Sequence, residues 1–136
     1  MMKDNLGFTL VELLAVLIIL GILMSVGFAA FGRYKDKAVR QSFETMSSDA
    51  ASAAEEYFMD YRTKNSVDFS VLVAEEYLTA TVDPRDSKRT CGGRVEKQTV
   101  ISGTTDDALD VIPLKVTIDC GNYTECKIYP GKKNCP

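Results

Sequence analysis

The chain has no histidine and no tryptophan. Without histidine it lacks the usual general base and a common zinc ligand. No serine, cysteine or lysine stands in a recognisable nucleophile motif. The paired acids Glu55-Glu56, Glu75-Glu76 and Asp106-Asp107 are sequence neighbours, which is how a solvated face reads. No enzyme and no cofactor are expected. Neither sign of charge predominates: the net charge is −3, too small to name a partner. No basic stripe with interleaved aromatics points to nucleic acid.

Two further absences shape the chain. From Phe8 to Phe31 the only ionisable side chain is Glu12. That run is about 36 Å long as a helix, enough for a hydrocarbon core of about 30 Å. From Arg33 to Arg62 there is no proline or glycine, so nothing interrupts a helix that continues past the apolar run. Val39, Phe43, Met46, Ala50, Ala53, Tyr57 and Tyr61 recur at spacings of three and four, which places them on one face. The other face is charged or small.

Four cysteines are present, Cys91, Cys120, Cys126 and Cys135, all in the last third. No pair has C-x-x-C spacing, so zinc is the poorer reading and two disulfides in an oxidising compartment the better one. Asp106, Asp107 and Asp110 match no EF-hand spacing, and no metal site is assigned.

Glu12 is the residue a bland reading leaves unexplained. A secretory signal peptide would have Lys3 as its n-region and a cleavage site near Ala29 and Ala30, but the apolar run is too long and the carboxylate is out of place. A plain membrane anchor explains the length and not the carboxylate, which costs about 2.5–3.5 kcal/mol at a helix centre and less near an end.

The stretch Gly7-Phe8-Thr9-Leu10-Val11-Glu12-Leu13-Leu14, after the short polar leader Met1 to Asn5, resembles the type IV pilin family, including the secretion and competence pseudopilins. The resemblance is strong over residues 1–31 and rests on architecture alone beyond them. It implies that a prepilin peptidase cuts between Gly7 and Phe8 and methylates the new Phe8 amine. It also implies that Glu12 neutralises that amine, on a neighbouring subunit or its own, in an apolar filament core where either charge alone is costly. The family often has a proline at the position of Ala29; here Gly21, Gly27 and Gly32 are the weak points where unwinding would centre. Arg33, Lys35, Lys37 and Arg40 follow the run, while the leader has only Lys3. The positive-inside rule alone would keep the C-terminal domain in the cytoplasm; the disulfides and the motif argue the opposite.

The expected fold is α+β. A long N-terminal helix spans about 8–62, and its C-terminal half packs on a small antiparallel sheet. The expected organisation is a cleaved leader (1–7), a transmembrane and filament-core helix (8–31), its amphipathic continuation (32–62), a connecting region (63–93), and a sheet with a disulfide-bonded C-terminal loop (94–136). Within the connector, "VDFSVLVAEEYL" reads as a short helix with Asp68 or Ser70 near its N-cap. Arg94 to Ser102 reads as a strand and "GTTDDALD" as a loop. Leu114, Val116, Ile118 and Cys120 alternate with polar residues in a half-buried strand, which turns at Gly121-Asn122 and returns over Thr124–Tyr129. A two-residue loop would place Glu125 and Lys127 on the apolar face. A three-residue loop, pairing Ile118 with Cys126 and Val116 with Ile128, is therefore expected. In that register Cys120 and Cys126 are diagonal neighbours, about 7–8 Å apart or more and beyond bridging reach. Two connectivities remain. The family's C-terminal loop favours Cys91–Cys120 with Cys126–Cys135; the other is Cys91–Cys126 with Cys120–Cys135.

The resemblance implies a structural subunit, the major pilin of a type IV pilus. Its partners would be further copies of itself, the prepilin peptidase, a pilus assembly ATPase, a platform protein, minor pilins and, before assembly, the membrane; DNA or a host surface is unassigned. It would begin as a single-pass precursor in the cytoplasmic membrane and end in an extracellular filament. A pseudopilin of a type II secretion or competence system is the alternative. A membrane-anchored surface binding protein that does not polymerise is the other.

Overall fold

The computed structural model describes residues 7–99 and 112–136. The first element, α1, is one helix over Leu10–Asp60. It continues through Gly21, Gly27 and Gly32, where no other group lies within 4 Å of an added Cβ. Contacts divide the chain after Ala38 into two units. The first holds the apolar part of α1, which buries none of its membrane-length window.

The second unit is α+β. After α1 come β1 (Ser66–Asp68), α2 (Phe69–Ala74), β2 (Val82–Asp83), β3 (Asp86–Thr90), β4 (Gly92–Lys97), β5 (Leu114–Asp119), β6 (Thr124–Tyr129) and β7 (Lys133–Asn134). The main sheet has five antiparallel strands in the order β1-β4-β5-β6-β7, and β2-β3 form a separate ladder. The region read as a connector therefore supplies β1 to the main sheet and the whole second ladder. Strand β4 stops at Lys97, and the part of the expected strand and loop over 100–111 lies outside the described residues.

The core forms where α1 meets one sheet face. Phe43, Ser47, Ala50, Ala51, Ala53, Ala54, Tyr57 and Phe58 of α1 are buried. The stripe is thus rotated from the expected one: Tyr61 is exposed, Val39 and Met46 are half-covered, and Ser47, Ala51, Ala54 and Phe58 join the core. Facing the stripe are Val67, Val95, Leu114, Val116 and Ile118, all buried.

In α2, Asp68 occupies the N-cap with extended backbone, but its carboxylate makes no cap hydrogen bond. It instead accepts from Arg94 Nε at 2.7 Å. The helix ends at Ala74, and Glu76 takes a positive φ of 64°. Gly93 is obligatory. A Cβ there would lie 2.3 Å from the Thr117 carbonyl oxygen and 2.8 Å from the Phe69 ring, so Phe69 reaches the core only across a residue without a side chain.

The β5–β6 register corrects the expectation. Ile118 pairs with Glu125, Thr117 with Cys126 and Val116 with Lys127, and the Cys120 N–H donates to the Tyr123 carbonyl. The loop is the two-residue Gly121-Asn122, with Gly121 at φ 88°. A glycine-first turn of this kind matches strand twist. Val67, Val95, Val116 and Lys127 consequently form one cross-strand row on the core face. The alternation rule failed because Lys127 is buried with two carboxylates rather than exposed. Its Nζ lies 3.2 Å from Glu44 Oε1 on α1 and 3.3 Å from Glu125 Oε1.

Candidate assembly site

The N-terminal site starts from helix-end chemistry. The first turn of any helix leaves backbone N–H groups without partners, and in a membrane no water replaces them. Here Thr9 and Glu12 stand in the T-x-x-E order of a capping box. The Glu12 N–H donates to Thr9 Oγ1 at 3.3 Å, and the Thr9 N–H donates to a Glu12 carboxylate oxygen at 3.0 Å. Glu12 is thus the N3 residue of α1, where a carboxylate also suits the positive end of the helix dipole. The signal was in the sequence, but the apolar run drew the reading to charge pairing alone. In the uncut chain the Phe8 nitrogen is a peptide nitrogen, so Glu12 has no amine to meet and holds Thr9 instead. Gly7, Phe8 and Thr9 precede α1 and are exposed, which leaves the Gly7–Phe8 bond outside the helix.

Beyond this cap, α1 shows its apolar side chains on every side. Leu10, Val11, Leu17, Leu23, Val26, Phe28 and Phe31 are all exposed. By length and composition the helix is able to cross a membrane. An all-round apolar helix is stable only in lipid or among other helices.

In the second unit the cysteines pair as Cys91–Cys120 and Cys126–Cys135, with Cα–Cα distances of 4.2 and 5.5 Å. The first bridge is buried and joins the start of β4 to the end of β5. The second lies across the other sheet face, because Cys126 pairs with Thr117 rather than with a core residue. Cys120 and Cys126 therefore sit on opposite faces, a stronger separation than the diagonal expected from the other register. Cys91, Cys120 and Asp83 approach one another in the interior, but sulfurs joined in a disulfide offer no thiolate to a metal. Asp106, Asp107 and Asp110 lie outside the described residues.

Two charged clusters hold the second unit together, and sequence reasoning found neither. Asp83 is 2 % exposed, so its charge needs partners. Arg85 supplies them: its Nε, Nη2 and backbone N–H donate to the carboxylate at 3.1, 3.0 and 2.8 Å. These bonds hold the Asp83 carboxyl below its ordinary range. The same guanidinium reaches Asn122 at 2.9 Å and lies 4.9 Å from the Tyr123 ring centroid, which ties the β2–β3 ladder to the β5–β6 turn. In the other cluster burial acts to lower the Lys127 ammonium, and hydrogen bonds to Glu44 and Glu125 outweigh it and raise it. A cleft of 220 Å³ beside this pair is lined by Gln41, Glu44, Thr45, Ser48, Asp49 and Lys132. Its groups are exposed and already solvated, an arrangement without a poised nucleophile.

Residues 2–28 match the family model of the prokaryotic N-terminal methylation motif, the signature of type IV prepilins. No curated protein and no solved structure gave a significant match.

Proposed function

We propose that this chain, a protein of the type IV pilin or pseudopilin class, is the major structural subunit of a type IV pilus. The observation that carries the reading is the methylation motif at residues 2–28, running into a helix whose apolar surface finds no cover within its own fold. Such a surface is hidden by lipid in the precursor and by other copies in a filament.

In this reading the precursor spans the cytoplasmic membrane once, with residues 1–7 as the leader on the inner side. The prepilin peptidase cuts between Gly7 and Phe8 and methylates Phe8. Cleavage creates a cationic amine on Phe8, four residues before Glu12. Until assembly, the capping box stores the Glu12 carboxylate at the helix end. In the filament the carboxylate turns to the Phe8 amine of a neighbour, so that a subunit in register buries no lone charge. An assembly ATPase and a platform protein drive the insertion, minor pilins join the fibre, and the disulfide-bonded sheet forms its outer layer. The motif points to a structural protein and not to an enzyme.

The test is the intact mass, without reduction, of the subunit sheared from cells that express it. A mass that starts at Phe8, one methyl heavier and four hydrogens lighter, supports peptidase processing, two disulfides and a place in a surface filament. A mass that starts at Met1 or near Ala30, or no chain in the sheared fraction, overturns it in favour of an anchored or secreted monomer.

A further inference from the structure

Between Phe28 and Arg40 the exposed surface of α1 changes from apolar to basic. Phe28, Phe31 and Tyr34 are largely exposed. Arg33, Lys35, Lys37 and Arg40 stand among and just beyond them, also exposed. With Asp36 the five charged residues from 33 to 40 carry a net +3. This stretch of helix has no cover in the monomer, and its cations follow the membrane-length run on the side that the positive-inside rule would leave neutral. At about 100° per residue Arg33, Lys37 and Arg40 share one face of α1, with Phe28, Phe31 and Lys35 on the other.

A surface of the second unit has the complementary make-up. Tyr57 and Tyr77 meet edge to face at 5.6 Å, and Tyr57 and Tyr61 lie 4.6 Å apart. The Tyr77 hydroxyl donates to Asp60, and the Tyr61 hydroxyl donates to Glu75 at 3.4 Å. These contacts draw the ends of α1 and α2 together into one patch. On it Tyr61, Asp60 and Glu75 are exposed, and so are Glu56, one turn before Asp60, and Glu76, next to Glu75. Glu56 and Asp60 are like charges four residues apart at the negative end of a helix dipole, and α1 has no basic residue in its last turn; both features disfavour them in an isolated helix. Glu76 keeps a left-handed backbone that a glycine would adopt without strain. Arg62 and Lys64 follow nearby and offset only part of the charge.

We propose that the acidic aromatic patch of one copy docks on the basic face of α1 that carries Arg33, Lys37 and Arg40 in a second copy. Guanidinium groups suit this patch in two ways, since they pair with carboxylates and stack on tyrosine rings. The contact would sit outside the apolar helix packing and fix which copies meet. The same carboxylates act on the phenols of the patch: a hydrogen bond to Asp60 pushes Tyr77 up to about 12, and the charge of Glu75 raises Tyr61.

This inference rests on the filament reading, and the test separates the two. Sheared subunit is measured from cells expressing the full chain, either wild type, E56K/E75K, R33E/K37E or all four substitutions together. If the wild type gives no sheared filament, the filament reading fails and the docking fails with it. Given wild-type filaments, each reversed pair should reduce the yield at least about tenfold, as like charges then face each other. The fourfold variant should recover most of it. Loss of Arg33 and Lys37 favours outward translocation of the second unit, so a topological fault does not mimic the effect. Unchanged melting of each full-length variant in detergent checks folding. Carbodiimide treatment of wild-type filaments should join Lys37 to Glu56, Asp60, Glu75 or Glu76, and the joined peptides should be absent from detergent-dispersed subunits. Full yield from the reversed pairs would overturn the docking. A fourfold variant no better than the pairs, with no joined peptides, would also overturn it and leave anionic lipid headgroups as the occupant of the basic face.

Discussion

The apolar part of α1 and the unit that begins at Val39 are built from the same helix but are stabilised in opposite ways. Up to Ala38 every described side chain is exposed, and the helix is held by local bonds: its backbone ladder, the Thr9–Glu12 cap and a Ser25 hydroxyl that donates to the Ile22 carbonyl at 2.8 Å. After Val39, Phe43, Leu72, Val95, Val116 and Ile118 are almost wholly buried, and two disulfides close the chain on itself. Helicity in water comes mostly from packing an amphipathic face. The second unit has that face and the first does not, so the first needs an environment that the monomer lacks. The comparison teaches that one unit carries its own core, while the other exposes an apolar surface of the kind that lipid or other helices cover.

The sharpest way to break the comparison is at Glu12. Glu12→Ala should leave processing at Gly7–Phe8 intact and the melting of the second unit unchanged. It should reduce sheared filament by more than about a hundredfold, since a lone buried charge costs about 3–5 kcal/mol. Normal filament yield from this variant would remove the charge-pairing role.

The disulfides come next, and they should affect only the second unit. Loop-closure entropy gives about 3.5 kcal/mol for a bridge across 29 residues and about 2.7 kcal/mol across 9. Denaturant titration should therefore show the larger loss for the Cys91→Ala/Cys120→Ala variant than for Cys126→Ala/Cys135→Ala. Equal losses, or the reverse order, would mean that the outer bridge does more than close a loop.

Gly93→Ala should cost about 3 kcal/mol in the same titration, because a rigid carbonyl and a buried ring both oppose the new Cβ. Gly27→Ala, in open space on α1, should leave the second unit untouched.

The smallest effect is pH dependence. The Asp83 carboxyl is held below its ordinary value by Arg85. Its stabilisation is present above the unfolded-state value, near 3.8, and is lost as pH falls through the lower folded-state value. Lys127 is raised, so its contribution is present below about 10.5 and is lost as pH rises through the higher folded-state value. Asp83→Asn should flatten the acid limb of a stability–pH curve and leave the alkaline limb as it was. An unchanged acid limb would show that the Arg85 pair is not what titrates.

Legibility divided along the same line as stability. The apolar run, Glu12 and the uninterrupted continuation to Arg62 are one-dimensional signals, and the structure has α1 where they place it. The capping role of Thr9 was as local and was passed over because charge pairing already explained Glu12. In the sheet, alternation located β5 and β6 but set their register wrongly. It assumed that a lysine avoids the core, while Lys127 has Glu44, 83 positions away, as its partner. Asp83 carries no local signal of burial, and only the fold encloses it beside Arg85. β1 is three residues long, too short for any periodicity, and exists because β4 offers an edge to pair with.

By itself, the sequence determined that this protein has an all-round apolar helix with one carboxylate at its start, because composition and a fixed spacing of neighbours need no third dimension. The tertiary structure alone decided which face of α1 meets the sheet, which register closes the hairpin and which charges are buried together. Those outcomes depend on partners tens of residues apart, whose pairing free energy exists only once the chain has brought them into contact.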